Sequence, residues 1–186
     1  MPKNISKELE VAILSLTQKE KDRHLLRLIA RNELLREQLQ FTLLEDEADL
    51  YLRKEKIKEH IKETLSKSYS SVTFFLRDLR KLSTSITWHR RVTKDKYGEI
   101  DLFILALRLA LENQRKHISS FSRKGDVCRV YIVKKTLSVL KMIDALHEDF
   151  KIDFKGRMNQ ILTLLHTFET KYDAQKLSLP QSIQDE

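Results

Sequence analysis

The segment Ile100–Leu111, IDLFILALRLAL, constrains the fold more than any other part of this chain, because ten of its twelve residues are apolar. On a helical wheel at ~100° per residue, Asp101, Arg108, Glu112 and Arg115 gather in one stripe ~60° wide, and the rest of the circumference is apolar. A helix of that kind belongs in an interior. Twelve residues rise only ~18 Å, short of the ~30 Å core of a bilayer, so the interior is that of a protein. The segment therefore predicts a buried central helix, with Phe103, Leu105, Leu107, Leu109 and Ala110 nearly inaccessible. Burying its large apolar side chains is worth roughly 12–24 kcal/mol before chain entropy is charged.

Helix breakers are scarce: the chain has three glycines and two prolines. Pro2 and Pro180 stand near the ends, while Gly98, Gly125 and Gly156 fall between apolar-periodic segments, which predicts turns at those three places. With long 3.6-residue periodicity and no convincing alternation, the class is all-α; only Val130-Tyr131-Ile132-Val133, taken alone, also reads as a strand. A length of 186 residues fits one domain, or one domain with a small appendage.

Helical spacing of Ile5, Leu9, Ala12, Ile13 and Leu16 opens the chain. Thr17-Gln18-Lys19-Glu20 then has the form of a capping box, so a second helix starts near residue 18 and ends near Asn32. A third covers about 33–44, completing an N-terminal helical subdomain over residues 1–45. The acidic run Glu45–Asp49 suits the first turn of a mostly solvated helix carrying Leu50, Ile57, Ile61 and Leu65. Val72, Phe75, Leu79, Leu82 and Ile86 extend a helix over 71–95, in which the poor helix formers at 83–87 favour a kink. Helices over 99–119, 126–150 and from Gly156 to Tyr172 follow. Short turns between such helices make an up-and-down bundle of long antiparallel helices over residues 46–172. No period of 33–47 residues supports a helical solenoid instead. The thinning apolar pattern of residues 173–186 predicts a loose tail.

The blocks KEKDRHLLRLIARNELLREQLQFTLLEDEADL (19–50) and KDKYGEIDLF (94–103) resemble uncharacterised bacterial all-helical proteins of similar length. That resemblance implies a bacterial helical protein and carries no activity, cofactor or site residue with it.

The formal charge of +8 is concentrated: residues 77–96 carry seven Lys/Arg against Asp78 and Asp95, and residues 115–135 carry seven against Asp126. Such asymmetry marks a solvated face or an anionic partner. A single cysteine, Cys128, fits a reducing compartment, and the first residues show no apolar leader, so the expected location is cytoplasmic, without a membrane span.

Catalytic signatures are missing. Three isolated glycines build no phosphate loop or dinucleotide fingerprint, the six histidines never fall at i,i+4, and Cys128 has no identifiable base. No cofactor or metal site is therefore expected. The residue that stands out is Trp88, which on a continuous helix points away from the apolar stripe into a group of cations. Arg77, Arg80, Lys81, Trp88 and Arg91 are the candidate polyanion-binding residues. A kink at 83–87 would turn Trp88 inward and remove this platform, and that is the outcome favoured here. The reading that follows is a non-catalytic helical interaction or scaffold protein, self-associating or bound to a protein partner. The alternative is sequence-indifferent binding of nucleic acid or another polyanion through the basic face of 77–96.

Overall fold

The computed structural model describes residues 5–167 and 169–183. Those parts of the segments above that fall on residues 1–4, Phe168 and residues 184–186 lie outside the described residues. Ten helices and no strand occur among the described residues, and the chain divides into two compact units between Asp46 and Glu47.

The first unit contains α1 (Lys7–Ser15), α2 (Gln18–Arg31) and α3 (Glu33–Leu44). Local chemistry sets its boundaries. The Thr17 hydroxyl accepts from the Glu20 amide at 3.4 Å and the Glu20 carboxylate accepts from the Thr17 amide at 2.9 Å, which is the reciprocal capping box. Asn32 serves two helices: its N–H closes α2 on the Ile29 carbonyl, and its side-chain oxygen accepts from the Leu35 amide at 3.1 Å to start α3.

The second unit is the bundle: α4 (Glu47–Ser66), α5 (Val72–Thr93), α6 (Lys96–Asn113), α7 (Arg115–Ile118), α8 (Arg123–Asp144), α9 (Glu148–Thr167) and α10 (Lys171–Lys176). Helix α6 is its axis and packs against α4, α5, α8 and α9. Leu102, Phe103, Leu107 and Ala110 are each no more than 2% exposed. Short connections carry the long helices back and forth in an up-and-down arrangement. Among the described residues no helix is long and apolar enough to cross a membrane.

Five expectations need correction. Leu105 and Leu109 are half-buried, not inaccessible. The polar flank of α6 lies beside Leu105, where Asp101 takes Lys58 at 3.7 Å and a close hydrogen bond from Arg157. The central helix also stops at Asn113, six residues early. Gln114 leaves the helix because its buried amide donates to the carbonyls of Leu65 at 2.8 Å and Lys67 at 2.9 Å, satisfying acceptors at the end of α4 that have no partner within that helix.

The glycines are not turns. Gly98 sits in the first turn of α6, where a Cβ would lie 2.1 Å from the Asp95 carboxylate. Gly125 sits in the first turn of α8, where a Cβ would lie 2.0 Å from the Ser120 carbonyl oxygen. Both are positions of close approach. Gly156 lies inside α9 with open space around it, and the real break comes at residues 145–147, after which Glu148 and Asp149 occupy the first turn favoured by the helix dipole.

Helix α5 runs unbroken across 83–87. The Ser83 and Thr84 hydroxyls donate back to the carbonyls of Leu79 and Arg80, both at 3.1 Å, so these side chains are accommodated within a continuous helix. The helix ends at Lys94, which takes the left-handed conformation (φ 64°) usual one residue past a helix.

The segment read as a loose tail is docked. Ala174 and Leu179 are buried, and Leu177 and Ile183 pack on the core. Asn159 accepts from the Ile183 amide at 2.8 Å, and the His166 imidazole meets the Pro180 carbonyl at 3.0 Å. Few apolar residues were needed, because the anchors are polar and come from α8 and α9.

Candidate basic groove and apolar surfaces

With α5 continuous from Val72 to Thr93, its basic side stays outward. Arg77, Arg80, Lys81 and Arg91 are exposed and Trp88 is half-buried, so the expected inward turn of Trp88 does not occur. Two adjoining grooves run along this side. One, of about 440 Å³, is lined by Thr73, Leu76, Arg77, Arg80, Lys81, Thr84 and, from α8, Lys124. The other, of about 360 Å³, is lined by Arg80, Ser83, Thr84, Thr87, Trp88 and Arg91 with Tyr131 and Lys135 of α8. Arg80 and Thr84 belong to both, so all five candidate residues line one continuous depression.

Arginines lie over aromatic rings within it and, at Phe74, at its end. The Arg77 guanidinium is 5.0 Å from the Phe74 ring, Arg80 is 5.5 Å from Tyr131, and Arg91 is 5.6 Å from Trp88. The Tyr131 hydroxyl is 2.6 Å from that of Ser83, which ties α8 to α5 at the groove floor. Asp78 tempers the charge at one end, pairing with Arg77 at 3.1 Å and Lys81 at 4.0 Å.

Sequence reading did not find Tyr131, Lys124 and Lys135, although the signal was present: the second basic window, 115–135, supplies them. Residues as far apart as Ser83 and Tyr131, 48 positions along the chain, become the two walls of one groove only through the packing of α5 on α8.

A buried ionic cluster, also unanticipated, lies where α5 meets α6. His89 is 4% exposed and Glu99 6%. Asp95 caps α6, its Oδ1 accepting from the Gly98 amide at 2.7 Å, while its Oδ2 lies 3.8 Å from His89 Nε2 and 3.6 Å from Lys54 Nζ. The His89 side chain first, then the Gly98 amide and Lys54, hold the Asp95 carboxyl below its ordinary range against the opposing effect of burial. Burial pushes Glu99 the other way, above the usual carboxylate range, although Arg90 stands 3.2 Å away and Lys135 also opposes the shift. Lys135, packed 4.5 Å over the Phe103 ring, is lowered by its own burial, with Glu99 opposing. None of these distances sets up a nucleophile beside a base, and neither groove above is lined by His89, Asp95 or Glu99.

The cluster yields a pH prediction. A carboxyl whose folded pKa is depressed contributes stability that is present above the unfolded carboxylate range and lost as pH falls through the folded value. Asp95→Ala should therefore cost about 0.5–2 kcal/mol at neutral pH, the range for a lost N-cap. Its deficit should shrink as pH drops below the carboxylate range, read from urea midpoints at each pH. Glu99 has the opposite sign: its contribution is present at low pH and lost as pH rises.

Cys128 is fully buried, and burial pushes its thiol up to about 12 despite the adjacent Arg129, so it is not poised as a thiolate.

The first unit presents a different surface. None of the residues of α1, α2 or α3 is buried. Leu9, Val11, Leu14, Leu25, Leu26, Leu28, Leu43 and Leu44 are between 52% and 80% exposed. On α2, Leu25, Leu28 and Ile29 share one side at i, i+3 and i+4, with Arg23 and Arg27 opposite. No protein-family model, curated protein or solved structure matches this chain, so its own residues carry the functional reading.

Proposed function

We propose that this is a cytoplasmic, non-catalytic interaction protein that associates with a second copy of itself through its N-terminal helices. The observation that carries this reading is the absence of any buried residue in α1–α3 despite their many leucines. Large apolar side chains exposed in such number on three helices are rarely left facing water and commonly mark a protein interface. Helix α2 has the pattern that helix pairing uses, an apolar side of Leu25, Leu28 and Ile29 backed by charge of both signs in Glu20, Arg23 and Arg27. A two-fold pairing matches such a surface with itself, so one patch suffices. The resemblance of residues 19–50 and 94–103 to bacterial helical proteins is in keeping with a bacterial source.

Sedimentation equilibrium of the full chain tests the proposal. The expected result is a mass that rises with concentration toward a dimer, and a Leu25→Asp/Leu28→Asp variant that stays monomeric with unchanged helical content. A wild-type chain that remains monomeric at all concentrations, or a variant that associates as well as wild type, overturns it.

A further inference from the structure

Phe74-x-x-Arg77 and Trp88-x-x-Arg91 are the same couple repeated fourteen residues apart on α5. Fourteen residues are close to four helical turns, so both couples face the same way, ~21 Å apart. Between them the third couple, Arg80 on Tyr131, is completed by α8. The result is a row of three ring–guanidinium couples: Arg77, Arg80, Tyr131, Trp88 and Arg91 line the two grooves that share Arg80, and Phe74 stands at the end of the row beside Arg77.

We propose that this row is a track for single-stranded nucleic acid, with the rings of Phe74, Tyr131 and Trp88 taking base faces and the arginines taking phosphates. Proteins that hold single strands without sequence preference combine these two elements, a cationic groove that follows the backbone and aromatic rings on which bases stack. A duplex hides its base faces, so rings set along a groove have nothing to stack on there. A duplex would engage the cations alone. At the 3.4 Å rise of a stacked strand, ~21 Å spans about six nucleotides, and fewer in an extended one. The apolar N-terminal helices play no part in this site, so it stands or falls independently of self-association.

The chain has one tryptophan, so emission excited selectively at the indole reports on Trp88 alone, and the Trp88 variants are read by the anisotropy of a labelled strand. The full chain is titrated with an oligothymidylate of ~12 nucleotides, with the same length as a duplex, and with inorganic polyphosphate, at ~50 and ~200 mM salt. Single strand should bind most tightly, quench Trp88 emission, and weaken steeply with salt. Trp88→Ala should weaken single-strand binding roughly five- to a hundredfold, the equivalent of one lost base stack, and Trp88→Phe should restore most of it. Arg77→Glu/Arg91→Glu should abolish binding. Circular dichroism confirms that each variant keeps its helices. Absence of binding at the lower salt overturns the proposal. So does duplex or polyphosphate bound as tightly as single strand, because the patch is then a general anion surface. Binding that survives Trp88→Ala unchanged, or that survives the double charge reversal, equally removes the track.

Discussion

Leu107→Ala should lower the unfolding free energy of the bundle by about 2–5 kcal/mol, the range for truncating a buried leucine when the site cannot collapse. Leu107 is 2% exposed at the centre of α6, and α4, α5, α8 and α9 all pack on that helix. Any inward movement to fill the void would have to shift several 18–22-residue helices together, so a cavity should persist. Leu105→Ala is the internal comparison. It is the same chemical change two residues away, but Leu105 is half-buried beside Lys58 and Lys62 along a shallow groove and can be replaced there by water and flexible lysine stems. Its cost should be about half as large or less. Urea unfolding followed through Trp88, which lies in the bundle, gives both values as shifts in midpoint at constant slope. Equal losses at the two positions would mean that α6 is not the axis of the core.

Truncation after Tyr172 should cost roughly 2–5 kcal/mol, because it removes buried apolar groups and a partner of a largely buried charge together. Leu179 is 5% exposed and Ala174 fully buried. Asp173 accepts from Arg129 Nε at 3.1 Å, and both side chains are nearly enclosed, at 13% and 11% exposure. Arg129 also donates to the carbonyls of Ile118 and Ser120, each at 3.0 Å, and pairs with Asp126. The guanidinium thus holds the 118–122 connection and α10 on the same helix. Losing Asp173 leaves that cation short of one of its two carboxylates in a poorly hydrated place. Asp173→Asn in the full-length chain isolates the charge from the apolar contacts, and should reproduce a minor part of the loss. A truncated chain whose urea midpoint equals that of the full chain would show that residues 173–183 add nothing to the bundle.

The features read correctly from the sequence are those whose cause lies within a few residues. Thr17 and Glu20 close a capping box because both partners are three positions apart, and Asn32 bounds α2 and α3 for the same reason. The apolar arc of residues 100–111 placed α6 in the interior, since an arc that wide leaves a helix nowhere else to go. The five basic and aromatic candidates on α5 share one side because 3.6-residue periodicity puts them there. Tertiary structure decided whatever depends on a partner far along the chain. Helix α6 stops at Gln114 because the acceptors for its amide, Leu65 and Lys67, lie 49 and 47 residues back. Gly98 and Gly125 mark close approaches, a property of what lies opposite a residue and not of the residue itself. Residues 173–183 are held by Arg129, Asn159 and His166, none of which a local hydrophobic pattern can see. The basic side of α5 became a groove only when α8 brought Lys124, Tyr131 and Lys135 against it, because periodicity tells which way a side chain faces on its own helix and only packing tells what it meets there.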